Sequence, residues 1–126
     1  MRLLILLCCA MMLLSAGLAG TYKGTYSGSS GASGDISVTL TQTGGDWKSE
    51  VTFGLGGDTV QTKVTSVKVD GSKVTVVYTF DLQGTVLEST VTGELKDGAL
   101  AGEYHTKSVA DGSPVDDGTW KAAAAN

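Results

Sequence analysis

GTYKGTYSG, residues 20–28, carries a doubled Gly-Thr-Tyr, and GTWK, residues 118–121, echoes it close to the C-terminus. The segments between them explain why two ends should share a signature. In DISVTLTQT (35–43), Ile36, Val38 and Leu40 alternate with Ser37, Thr39 and Thr41, the period-two pattern of a half-buried strand. WKSEVTFG sets Trp47, Val51 and Phe53 on one face, and GSKVTVVYTF does the same with Val74, Val76, Tyr78 and Phe80. VLESTVTGEL aligns Leu87, Val91 and Leu95, and ALAGEYHTK aligns Leu100 and Tyr104. Turn signals separate these runs: GGD at 44–46, DGS at 70–72 and KDG at 96–98. Asp-Gly, which occurs at Asp70, Asp97, Asp111 and Asp117, favours tight hairpins because both residues tolerate positive φ.

No 3.6-residue apolar period runs long enough after residue 19 to make a helix, so the reading is all-β. Eight strands are expected, at about 21–28, 35–43, 47–54, 59–69, 73–80, 86–95, 99–107 and 118–123. A bulge is expected in the fourth, between Val64 and Val67, where Thr65 and Ser66 break the alternation. Short connections make an antiparallel up-and-down meander, whose first and last strands would be exposed edges unless they pair with each other. The Gly-Thr-Tyr and Gly-Thr-Trp strands are the natural partners to close a barrel. Their small residues let the backbones approach while Tyr22 or Tyr26 and Trp120 fill the end of the core. A β-sandwich shares the same alternation and is the alternative architecture.

The first 19 residues stand apart. MRLLILLCCAMMLLSAGLA has one charge at Arg2, an apolar run from Leu3 to Leu14, and small residues at Gly17 and Ala19, the pattern of a secretory signal peptide cut after Ala19. The run is short for a hydrocarbon core that takes about 20 apolar residues. The expected organisation is therefore a signal peptide, 1–19, and one barrel domain, 20–126, in a secreted or periplasmic protein. Cys8 and Cys9 leave with the leader, and with them any disulfide or cysteine metal site. What remains has eight lysines, scattered singly, against thirteen acids, a balance of −5 that argues against nucleic acid and anionic membranes. Stable membrane insertion as a β-barrel is not expected either, for want of aromatic girdles.

A chain that opens G-x-Y-x-G-x-Y, runs through a Gly/Ser-rich loop and a Thr-rich meander, and closes D-G-T-W-K resembles the small secreted eight-strand barrels of the lipocalin and avidin kind. It is also similar to the β-rich N-terminal domains that precede α/β-hydrolase domains in some secreted bacterial proteins. The motifs carrying that similarity are GTYKGTYSG, VKVDGSKVTV and DDGTWKA. The resemblance spans nearly all of residues 20–126, but its motifs consist of turn and packing residues. It implies the fold and not an activity, and no catalytic domain is expected to follow.

Catalytic signals are thin. His105 is the only histidine and points away from Leu100 and Tyr104 on its strand, without the serine and orienting group that a nucleophilic arrangement needs. There is no G-x-S-x-G elbow. GSSGASG (28–34) lacks the Lys-Ser/Thr and the helix of a phosphate loop and reads as a hairpin connection. Asp111, Asp116 and Asp117 form a weak candidate calcium set whose spacing fits no EF-hand. No enzyme activity and no cofactor are expected.

An eight-stranded barrel either fills its interior with side chains or keeps room for one small ligand. The expected inward set is Ile36, Val38, Leu40, Val51, Phe53, Val69, Val74, Val76, Tyr78, Phe80, Leu87, Val91, Leu95, Leu100, Tyr104 and Trp120. Trp47, Tyr78, Tyr104 and Trp120 are the candidates for stacking against a small hydrophobic or amphipathic ligand, with Trp47 at an open end. The alternative is a structural or protein-interaction module with a filled core. No converging polar groups inside the barrel are identified from the sequence.

Overall fold

A computed structural model describes residues 18–125, so the expected leader lies outside the described residues except for Leu18 and Ala19. Among the described residues nine strands follow one another: β1 (Gly20–Gly28), β2 (Ser33–Thr43), β3 (Asp46–Leu55), β4 (Asp58–Gln61), β5 (Lys63–Asp70), β6 (Lys73–Leu82), β7 (Thr85–Lys96), β8 (Ala99–Ser108) and β9 (Pro114–Ala124). Every pairing is antiparallel, and the hydrogen-bonded order is β4-β3-β2-β1-β9-β8-β7-β6-β5. The chain is all-β, a meander rolled into a nearly closed barrel.

The two echoing segments are partners. Tyr26 faces Trp120 and Gly24 faces Ala122 in the β1–β9 ladder. A Cβ on Gly24 would run into the Lys121 carbonyl, and one on Gly118 into the Ser27 carbonyl, so both positions admit only hydrogen. Trp120, opposite Gly102 in β8, lays its ring against Gly93 in β7, where a Cβ would sit 2.6 Å from the indole, and its Nε1 donates to the Thr92 carbonyl at 2.9 Å. Gly93 thus makes room for one large ring, and Gly102 lets β7 and β8 approach beside it.

One expectation changes in detail. The fourth strand, expected unbroken over 59–69, is divided at Thr62 into β4 and β5. β4 pairs with the upper part of β3 and β5 with β6, so this run of chain switches neighbours as it descends. Strands in a closing barrel must stagger and coil, and a break with a bulge achieves both. The register shift between Val64 and Ser66 is the expected bulge. Thr62 Oγ1 satisfies the Val51 carbonyl across the resulting seam at 2.6 Å. The last strand also begins earlier than expected, so Asp117-Gly118 lies within β9 and not in a turn.

The barrel axis has two unlike ends. At the lower end, Leu18, Tyr22, Leu40, Val74, Leu100 and Ala122 are buried, and the Tyr22 hydroxyl donates to the Leu18 carbonyl at 2.8 Å. The expected inward set is buried throughout except Phe53, Val69 and Leu95, which are partly buried and packed against it. At the upper end the core is lined but not filled.

Candidate functional site

A cavity of about 160 Å³ opens at the upper end, beneath the turns joining β1 to β2, β3 to β4, β6 to β7 and β8 to β9. Its wall is apolar for most of its depth. Ile36, Leu87 and Val91 supply aliphatic surface, and five rings line it: Tyr26, Phe53, Tyr78, Phe80 and Tyr104. The rings brace one another, Phe53 meeting Phe80 edge-on with centroids 5.0 Å apart and Tyr26 meeting Tyr104 edge-on at 5.9 Å. Such T-shaped contacts each add about 0.5–1.5 kcal/mol beyond the area they bury, which holds the wall in shape without filling the space.

Two polar points interrupt this wall. Ser89 and Thr106 are both buried and share a hydrogen bond of 2.6 Å between their hydroxyls. Tyr78 lies beside them; burial pushes its phenol up to about 12, against the hydrogen bond that Ser89 offers. The second point is Asp116, whose Oδ2 accepts from Tyr104 Oη at 2.7 Å and whose Oδ1 accepts from the Ser30 amide at 3.0 Å. Partial burial works to raise the Asp116 carboxyl, but the bonds from Tyr104 and Ser30 outweigh it and hold the group below its ordinary value. Burial and the Asp116 charge both push the Tyr104 phenol upward. Asp116 therefore carries its charge at neutral pH, and it is in none of the ion pairs found among the described residues.

Local sequence explains the placement. Asp116 shares the inward face of β9 with Gly118, Trp120 and Ala122, and Tyr104 shares the inward face of β8 with Leu100 and Thr106. Gly28 makes room where the two meet, since a Cβ there would strike the Asp116 carboxylate and the Tyr104 hydroxyl. The bond from Ser30 then pins the β1–β2 turn beside the mouth. Val86, Val109 and Val115, the exposed large apolar residues among the described residues, all lie at this same end and give it an apolar rim.

Of the four aromatic candidates read from the sequence, Tyr78 and Tyr104 stand on the cavity wall. Trp120 is buried in the core beside Gly93, outside the lining, and Trp47 sits in the seam between β3 and β5 with Lys48, Ser49 and Val64 through Val67. The structure does not bring the four together. Ser89, Thr106 and Asp116 are the inward polar groups that the sequence reading did not identify. Their signal was the alternation itself, because each is a polar residue at an inward position of its strand.

The three aspartates of the calcium set have separate partners. Asp111 accepts from the amide and hydroxyl of Ser113, Asp116 from Tyr104 and Ser30, and Asp117 pairs with His105 Nδ1 at 2.8 Å. No group of three or more His, Cys, Asp or Glu side chains able to hold a metal occurs among the described residues. His105 is exposed, flanked by Asp117 and Glu103 on the outer surface. No helix among the described residues is long and apolar enough to cross a membrane. No family model matches the chain, and no curated protein matches it.

Proposed function

We propose that the protein is a secreted or periplasmic, non-enzymatic binding barrel, of the lipocalin or avidin kind in its architecture, that holds one small amphipathic molecule in its upper cavity. The observation that carries this reading is an apolar, ring-lined space with two polar points in a barrel whose lower half is packed. Binding sites for small molecules combine an apolar enclosure with a few placed polar groups in this way, often in the mouths of barrels. At about 160 Å³ the space is close to an engineered 150 Å³ cavity that takes up benzene, which limits the ligand to one ring or a short branched chain.

The test is titration of the purified protein, by calorimetry and NMR, with indole, benzyl alcohol and hexan-1-ol. Saturable binding by at least one of them, lost in a folded Val91→Phe variant that fills the cavity, supports the reading. No saturable binding by any of the three, nor by a small alkylammonium such as choline, contradicts it. Tryptophan emission is a poor reporter here, because neither tryptophan lines the cavity.

A further inference from the structure

We infer that the ligand is a small organic cation, an ammonium group carrying apolar substituents, held among the five rings with Asp116 as its counter-charge. The inference rests on the binding reading above and specifies the chemistry of that same site.

The cavity presents two features that a neutral hydrocarbon ligand does not need. One is a carboxylate at its mouth that the protein leaves without a cationic partner among the described residues. Its hydrogen bonds from Tyr104 and Ser30 fix the group in place but bring no positive charge. The field of this charge reaches into the site, since it raises the phenols of both Tyr26 and Tyr104. A charge kept at the entrance of an apolar space repels anions such as fatty acids and leaves room for a positive group to offset it.

The other feature is the concentration of rings. The sequence has eight aromatic residues, and five of them line this one cavity. Aromatic faces attract cations through their quadrupole, and ring-lined cages are the recurring device for recognising alkylated ammonium groups. Aliphatic residues would enclose a neutral ligand equally well. An alkylated ammonium is also weakly hydrated, so little is lost when it leaves water for such a wall. The net negative charge of the chain favours its approach.

The experiment compares choline with 3,3-dimethylbutan-1-ol, which has the same shape with carbon in place of the charged nitrogen. Each is titrated calorimetrically into the purified protein at moderate salt. The expected result is that choline binds about tenfold tighter or more, a difference of about 1.4 kcal/mol, and that Asp116→Asn removes most of that preference while leaving the alcohol unchanged. Phe80→Leu, which keeps an apolar side chain and deletes a ring, should weaken choline several-fold with little effect on the alcohol, and so tests the cage if the Asp116 variant does not fold. Glu50→Gln, on the exposed face of β3, controls for general surface charge and should change neither. Equal or tighter binding of the alcohol overturns the cation assignment and leaves the binding barrel standing. Binding of neither overturns the cation assignment, and the neutral panel then decides the binding reading separately.

Discussion

Tyr104 and Asp116 are joined by a 2.7 Å hydrogen bond, phenol to carboxylate, between adjacent strands at the mouth of the cavity. The Ser30 amide on the other carboxylate oxygen extends this link to the β1–β2 turn. Tyr104→Phe deletes the donor without changing the ring. It should cost about 1–2 kcal/mol in urea unfolding, because a bond to a charged acceptor is lost, and exchange of the Ser30 amide should quicken. Unchanged stability and exchange would mean the bond does not organise the mouth.

Acid should act through the same carboxylate. Asp116 has a lower pKa in the folded protein than the ordinary value of about 3.9 that it regains on unfolding. Its contribution is therefore present above that ordinary value and is lost as pH falls through the folded one. Asp116→Asn should flatten this part of the acid limb of a stability–pH curve, and an unchanged limb would contradict the hold of Tyr104 and Ser30 on this carboxylate.

At the alkaline end the sign reverses. Burial raises Tyr78 to about 12 and pushes Tyr104 further. A group whose folded pKa is raised keeps its contribution below its unfolded value, about 10 for tyrosine, and loses it as pH climbs through the folded value. Stability should fall between about pH 10 and 12, with two tyrosines ionising only as the protein unfolds, as tyrosinate absorbance would report. Reversible ionisation of all four tyrosines near pH 10 in the folded state would contradict the burial described here.

The closure of the barrel depends on two hydrogens. Gly24→Ala or Gly118→Ala places a methyl against a backbone carbonyl of the neighbouring strand, where neither side can yield cheaply. Each should destabilise by about 3 kcal/mol or more, at or beyond the upper end of ordinary overpacking costs, and expose edges prone to association. Gly45→Ala, in a turn where a Cβ meets nothing, is the matched control.

Leu18 gives a prediction about processing. It is buried at the lower end, with the Tyr22 hydroxyl bonded to its carbonyl, yet cleavage after Ala19 would remove it. A protein beginning at Gly20 should be about 1–2 kcal/mol less stable than one beginning at Leu18, the scale of one buried leucine side chain. Equal midpoints in urea would show that the barrel closes its lower end without it.

Much of this fold is legible in the sequence because strand alternation and turn residues act locally. Ile36, Val38 and Leu40 declare their face without reference to any other strand, and Asp97-Gly98 marks its hairpin by the positive φ that both residues adopt. The Gly-Thr-Tyr echo added the one long-range fact, because the same steric need recurs on both sides of the β1–β9 ladder. The division at Thr62 was hidden, since β4 and β5 have ordinary strand sequence and only the closing of the barrel forces the chain from one neighbour to the other. The site was half legible. Tyr78 and Tyr104 follow from alternation and size, but Trp47 and Trp120 drew attention by size alone, and their surroundings depend on the seam and on Gly93. Ser89, Thr106 and Asp116 were readable as polar residues in inward positions, yet only the folded barrel shows that Ser89 meets Thr106 and that Asp116 meets Tyr104.

The most direct test of the central claim is to locate a bound molecule. Intermolecular NOEs, recorded on the methyl-labelled protein saturated with choline or with the tightest binder of the neutral panel, would place it. The account predicts contacts to Ile36, Leu87 and Val91 and to the rings of Phe53 and Phe80, with none to Val67 or Leu100. Contacts confined to the β3–β5 seam or the outer surface, or none from a folded protein, would contradict it.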